Sequence, residues 1–277
     1  HGFSAAQLLL TRSDFDDRVR YLNVRNTLLT LFEYGAIPII NENDTVSVDE
    51  IRFGDNDYLA ALVTNLLSAP LLVILSVVDG LLQSDPAASN APQEPIRVIN
   101  NLDEAIHRHV GPGRSALGSG GMKSKLEAAR LVSRAGGSVI ITSGLRNDAI
   151  HQVLAGRPIG TLIPATGATQ QARRRWIGLT ARPRGYLIVD DGARNALESG
   201  RGSLLAIGIV ELEGQFTKGD VVGIRDLRGE EFARGLINYS FEEARAIRGL
   251  RSDQIPAIRG SISYDEVIHR DNLVVLG

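Results

Sequence analysis

Short apolar runs alternate with helix-length segments through the first 164 residues, and this alternation narrows the possible folds more than any other feature. LLLT at 8–11 precedes a helical pattern from about Asp14 to Tyr34, which Gly35 ends. AIPII at 36–40 reads as a short strand running into the polar cluster NENDTV. Asp55 or Asn56 can cap the helix DYLAALVTNLLSA, and LLVILS at 71–76 reads as a buried strand. A loop with DPAASNAPQEP, a short helix near 102–109, a glycine-rich segment opening another helix, and the strand SVIIT at 138–142 complete the series. Strands apolar throughout and separated by helices predict an α/β fold: a mostly parallel sheet with helices on both faces.

The texture then changes. GATQQARRRW at 167–176 reads as a linker, and beyond it YLIVD, IGIVELEG, DVVGIRD and LVVL are strand-like runs between glycine turns, with one helix at 192–199. The expected organisation is a first domain over 1–166, a linker over 167–176 and a small, mainly β domain over 177–277. A formal net charge of -2 gives no general pull toward nucleic acid, and zero cysteines exclude disulfides and thiolate metal sites. No apolar run approaches the roughly 18 residues of a membrane span, and no signal segment opens the chain, so a cytoplasmic protein is expected. The single methionine is Met122, so His1 is expected to lie inside a longer protein.

Three places carry chemistry. The first is GSGGMKSKLEAARL at 118–131, which holds Lys123 and Lys125, two of three lysines among 30 basic residues. Backbone N–H groups of a glycine turn opening a helix form an anion nest, and lysine adds a mobile charge that follows a phosphoryl group. Met122, Leu126, Ala129 and Val132 keep helical apolar spacing, and Gly136-Gly137 end the helix. Neither the P-loop nor the dinucleotide fingerprint is present, so a solvated loop before a surface helix remains an alternative. The second and third places are NEND at 41–44 and GDND at 54–57, each near the end of a strand where open α/β sheets bind ligands. Amides and carboxylates together suit a small zwitterion, and an aspartate can hold lysines around a phosphate; turn formation and helix capping are the plainer use of such residues. The five histidines show no metal spacing and no paired nucleophile, so phosphoryl transfer by positioning and charge neutralisation is the chemistry on offer.

INENDTV at 40–46, FGDNDYLAALV at 53–63, DGLLQSDP at 79–86 and GSGGMKSKLEAA at 118–129 resemble the amino acid kinase family and, within it, the glutamate 5-kinases. YLIVDDGARNAL, GSLLAIGI, GQFTKGDVV, ARGLINYS and VIHRDNL resemble the PUA domain that many of these kinases carry. The resemblance implies ATP-dependent phosphorylation of the γ-carboxylate of L-glutamate, with Mg2+, as the first committed step of proline synthesis. It also implies a homo-oligomer and feedback inhibition by proline. Carried over by position, Asp44 and Asn56 bind glutamate with Asn41 as a helper. Ser119, Gly120, Gly121, Met122, Lys123, Ser124 and Lys125 line the nucleotide phosphates, and Ser76 and Val77 sit near the adenosine. Lys125 stabilises the transferring phosphoryl group, Asp57 organises the lysines, and Lys123 falls at a variable position open to solvent. Ser76-Val77 stands where many members have Thr-Asp, and the family's opening strand, with its ATP-contacting lysine and glycines, is expected to precede His1.

Three other readings compete, one of them a non-catalytic regulatory or structural role, against which the presence of Asp44, Asn56, Asp57 and Lys125 speaks. RNA binding is suggested by the PUA resemblance and disfavoured by the near balance of 16 basic and 15 acidic residues over 171–277. Another acid, such as aspartate, acetylglutamate or carbamate, would keep the fold and change the substrate.

Overall fold

The computed structural model describes residues 2–46, 56–82, 94–110, 119–166, 172–200, 202–255, 264 and 266–276, which form two compact units, His1–Gln170 and Gln171–Gly277.

In the first unit, strand β1 (Ala5–Leu10) leads into a single helical turn, α1 (Ser13–Asp16), and then α2 (Arg18–Glu33). The one helix expected over 14–34 is thus two. Asp17 adopts extended backbone (φ -87, ψ 129) and its side chain accepts from the Arg20 N–H, so it ends one helix and caps the next. β2 (Ile37–Glu42) pairs in parallel with β1, from Ala5 opposite Ile37 to Leu10 opposite Glu42. That ladder carries β2 two residues into the polar cluster and starts β1 at its alanines, both beyond the limits that apolarity suggested. α3 (Asn56–Leu67) and β3 (Leu71–Ser76) follow, then α4 (Leu102–Val110), α5 (Ser119–Arg134) and β4 (Ser138–Ser143). α6 (Ala149–Leu154) and β5 (Thr161–Ile163), neither apparent in the sequence, close the unit.

β3 pairs in parallel with β4, Leu71 opposite Ser138 through Ser76 opposite Ser143, and β5 adds antiparallel to β4. Among the described residues the parallel strands therefore form two pairs, in sheets of two and three strands. β3 was expected to be wholly buried, yet only Ile74 is; β3 lies at the edge of its sheet and Leu75 remains half-exposed. α5 shows why sequence and fold agree elsewhere. Leu126, Ala128, Ala129 and Val132 are buried among Ala61, Ile74, Val139 and Ile141, while Lys123, Glu127, Arg130 and Arg134 face out. Gly136, at φ +94, then takes the left-handed backbone that stops the helix, and Gly137 N–H donates to the Val132 carbonyl. The predicted Asp55 cap and most of the DPAASNAPQEP loop lie outside the described residues.

The second unit opens with the short helix α7 (Ala172–Arg175) and one π turn at Trp176–Thr180, in the last part of the stretch that read as a linker. Trp176 is buried there; residues 167–171 lie outside the described residues. β6 (Gly185–Val189), α8 (Asp191–Glu198), β7 (Ile209–Gly214), β8 (Val221–Arg225), β9 (Glu231–Leu236), α9 (Phe241–Ile247) and β10 (Leu273–Val275) follow. Their five-stranded sheet has the order β10-β9-β8-β6-β7 and is antiparallel except between β6 and β8. Leu187, Val189, Val222, Ile224, Phe232 and Ile247 lie in its core. α8 confirms the expected helix at 192–199, displaced by one residue because Asp190 caps it through the Ala193 N–H at 2.7 Å. α9 was not anticipated, although Ser240 and Glu243 form a capping box visible in the sequence as Ser-x-x-Glu.

Candidate functional site

α3 turns directly into β3 and α5 directly into β4, so each helix runs antiparallel to the strand after it. The first turns of both helices therefore stand at the carboxyl ends of the parallel pair β3–β4, where the backbone diverges and open sheets bind ligands. α3 also packs along α5. This packing brings together three residues 67 and 68 positions apart in sequence: Lys125 Nζ lies 2.7 Å from Asp57 Oδ2, and Ser124 Oγ donates to the same oxygen at 3.3 Å.

The Lys125 and Asp57 side chains are only 16% and 14% exposed. A charge pair screened this far from water interacts more strongly than a surface pair and is held in one geometry. Asp57, in the first turn of α3, also meets the positive end of that helix. No acidic residue occupies the first turn of α5, so the carboxylate that meets its lysine charge is that of Asp57, from α3. Ser124 Oγ additionally reaches the Gly121 carbonyl at 3.2 Å.

Lys123 behaves differently. Its ammonium is half-exposed and stands 4.0 Å from Glu127 one turn on, an ordinary i,i+4 surface pair. Gly121 is exposed and a Cβ built there would meet nothing within 4 Å, while Met122 is partly buried against the core. For Ser119 and Gly120 only the helical backbone lies within the described residues. Ser76 ends β3 opposite Ser143, and its carbonyl accepts from Gly144 N–H at 2.7 Å; Val77 is 79% exposed beside it. Arg146 Nε and Asp79 Oδ1, 3.0 Å apart, join the segments that follow β3 and β4.

Asn41 and Asp44 lie at the carboxyl end of the other parallel pair. Asn41 faces outward near the end of β2, opposite Leu9. Asp44 is exposed in a turn held by Asn43, whose N–H donates to the Leu10 carbonyl at 2.9 Å and whose side chain accepts from Thr45 at 2.6 Å. Asn56 opens α3 and is exposed. Among the described residues no group of three or more His, Cys, Asp or Glu side chains is arranged to hold a metal ion. No described helix is long and apolar enough to cross a membrane.

Sequence reasoning missed one buried polar contact beside this site. The Arg12 guanidinium is fully buried and reaches Tyr58, the residue after Asp57. One arginine among many carries no signal of burial, and the contact spans 46 positions.

Residues 1–143 match the amino acid kinase family and residues 185–259 match the PUA domain. Over 276 residues the chain is 46% identical to a glutamate 5-kinase of Methylococcus capsulatus, covering 99% of this chain and 73% of that protein. It is 45% identical to the glutamate 5-kinases of Pseudomonas paraeruginosa and Caldanaerobacter subterraneus, covering 100% of this chain and 74% of each of those proteins.

Proposed function

Because the chain belongs to the amino acid kinase family, in its glutamate 5-kinase branch, we propose that it transfers the γ-phosphoryl group of ATP to the γ-carboxylate of L-glutamate. The product is L-glutamyl 5-phosphate, and the reaction is the first step of proline biosynthesis. The observation that carries this reading is the Lys125–Asp57 pair, closed at 2.7 Å between the second turn of α5 and the first turn of α3, near the carboxyl edge of a parallel strand pair.

Phosphoryl transfer asks little covalent chemistry of a protein and much positioning. A γ-carboxylate oxygen of glutamate attacks the γ-phosphorus in line, and the bond to the ADP oxygen breaks. Lys125 neutralises charge on the equatorial oxygens, and Asp57 fixes where its ammonium sits. The N-terminal turn of α5, from Ser119 through Gly120, Gly121 and Met122, cradles the phosphates with backbone N–H groups and Ser124 lines them with its hydroxyl, while Lys123 stays on the solvent side. Ser76 and Val77 flank the adenosine. Asp44 and Asn56, helped by Asn41, hold the ammonium and carboxylate of glutamate. Among the described residues no group of carboxylates is gathered to hold a metal ion, which fits a Mg2+ that arrives on the ATP phosphates and takes few protein ligands, and that ion would add charge neutralisation at the phosphates. The same reading makes residues 1–166 the kinase domain and 177–277 a PUA-like domain. It also places the protein in the cytoplasm, as a homo-oligomer inhibited by proline.

The test is glutamate- and ATP-dependent hydroxamate formation in hydroxylamine by the natural full-length protein, beside Lys125→Met. Replacing the lysine is expected to lower kcat by about 10²–10³ while KM for ATP holds, the behaviour of a charge used in the transition state. Equal losses in kcat and ATP affinity would assign the lysine to ground-state binding. Turnover of aspartate without glutamate would overturn the substrate.

A further inference from the structure

Arg12 is 1% exposed, a burial that arginine rarely accepts without paired partners. Local sequence chemistry puts it there. Thr11 follows the last residue of β1, and both its N–H and its hydroxyl donate to Asp14 Oδ2, at 2.7 and 2.8 Å. That clamp forces the chain into the α1 turn, with Phe15 and Asp16 N–H groups donating to the Arg12 carbonyl. The guanidinium is thereby directed inward, where it pairs with Asp16 Oδ1 at 3.0 Å. Its other edge reaches α3: NH1 donates to the Tyr58 hydroxyl at 3.2 Å, and the guanidinium carbon lies 5.5 Å from the centre of the Tyr58 ring.

Tyr58 directly follows Asp57, and successive helical side chains diverge by about 100°. One residue of the first turn of α3 is therefore held by Arg12 while its neighbour holds Lys125. We infer that Arg12 is a positioning residue for the phosphoryl transfer, fixing through Tyr58 the rotation of the α3 turn that aims Asp57 at Lys125. A hydrocarbon side chain would fill the same space at lower desolvation cost, so burial of charge is weak ground for a purely stabilising role. What the guanidinium supplies is direction: its planar fork sets two partners at fixed angles, which neither leucine nor lysine can do. The inference rests on the kinase reading above and adds to it a residue remote from the reacting atoms.

The experiment uses the natural full-length protein. Tyr58→Phe keeps the ring and removes only the hydroxyl that Arg12 meets. The expected result is a fall in kcat of about tenfold, with KM for ATP and for glutamate within about threefold of wild type, because a misaimed ammonium is felt chiefly in the transition state. Arg12→Lys keeps the charge and loses the fork. It is expected to lower kcat similarly, and the double variant to fall no further than the worse single one, since both act through one contact. An unchanged kcat per folded molecule in Tyr58→Phe, whatever its melting temperature, overturns the inference, as do fully additive losses in the double variant. If Arg12→Lys fails to fold, Tyr58→Phe decides alone. Wild-type protein that transfers no phosphoryl group to glutamate would refute the kinase reading, and this inference with it; active wild type with unaffected Tyr58→Phe refutes the inference only.

Discussion

Asp57→Asn isolates what the carboxylate does for Lys125. The amide keeps size and can still accept a hydrogen bond, so the perturbation is the loss of one negative charge 2.7 Å from the ammonium. At an effective dielectric near 20, charges at that distance attract by about 6 kcal/mol before desolvation is counted. Desolvation of two largely buried side chains takes back most of that, leaving an expected stability loss of about 1–3 kcal/mol. The effect on rate has a different origin. On the kinase reading proposed above, Lys125 without that charge has no strong reason to stay over Asp57 when phosphates compete for it, and a displacement near 1 Å costs about 10²-fold. That factor corresponds to about 2.7 kcal/mol of transition-state stabilisation. Steady-state hydroxamate kinetics on the full-length protein, with urea unfolding in parallel, separate the two effects. The reasoning is refuted if Asp57→Asn turns over within about threefold of wild type, or if its rate loss tracks the fraction unfolded.

Two further predictions concern stability. Gly160 has φ +69, and a Cβ there would stand 2.3 Å from the Ile141 carbonyl oxygen and 2.8 Å from Thr142 Cβ. Gly160→Ala combines a left-handed backbone, costing about 1–2 kcal/mol, with overpacking worth about 1–3 kcal/mol; urea unfolding should show a loss of about 2–5 kcal/mol, and a loss below 1 kcal/mol would contradict the geometry. In the second unit, burial alone would raise the Asp226 carboxyl. The N–H of Glu230 and the guanidinium and N–H of Arg228 outweigh that and hold it at about 2, against an ordinary 3.8. A carboxyl with a depressed folded value stabilises above its unfolded value and loses that contribution as pH falls through the folded one. Wild-type stability is therefore expected to drop as pH goes from about 4 toward 2, and Asp226→Asn to show a shallower drop; identical acid slopes in chemical unfolding would remove Asp226 from the account.

Periodicity and local chemistry made α5, β4, α8 and the change in texture near residue 170 legible in the sequence, because each depends on burying one face or satisfying one cap. Local signals also marked the glycine–lysine turn and the two acidic clusters, since residue type alone limits what such segments can bind. Other elements depended on partners distant along the chain. β1 and β2 took their limits from a parallel ladder, β5 exists as a strand through its antiparallel pairing with β4, and the expected long helix broke at Asp17 because its carboxylate could cap a new start. The site divides in the same way. Asp57 and Lys125 are singled out by the family resemblance, but their closure at 2.7 Å, the solvent pairing of Lys123 with Glu127, and the approach of Arg12 to Tyr58 are products of packing. Side-chain chemistry is written residue by residue; which carboxylate faces which ammonium is decided only when helices from distant parts of the chain share a core.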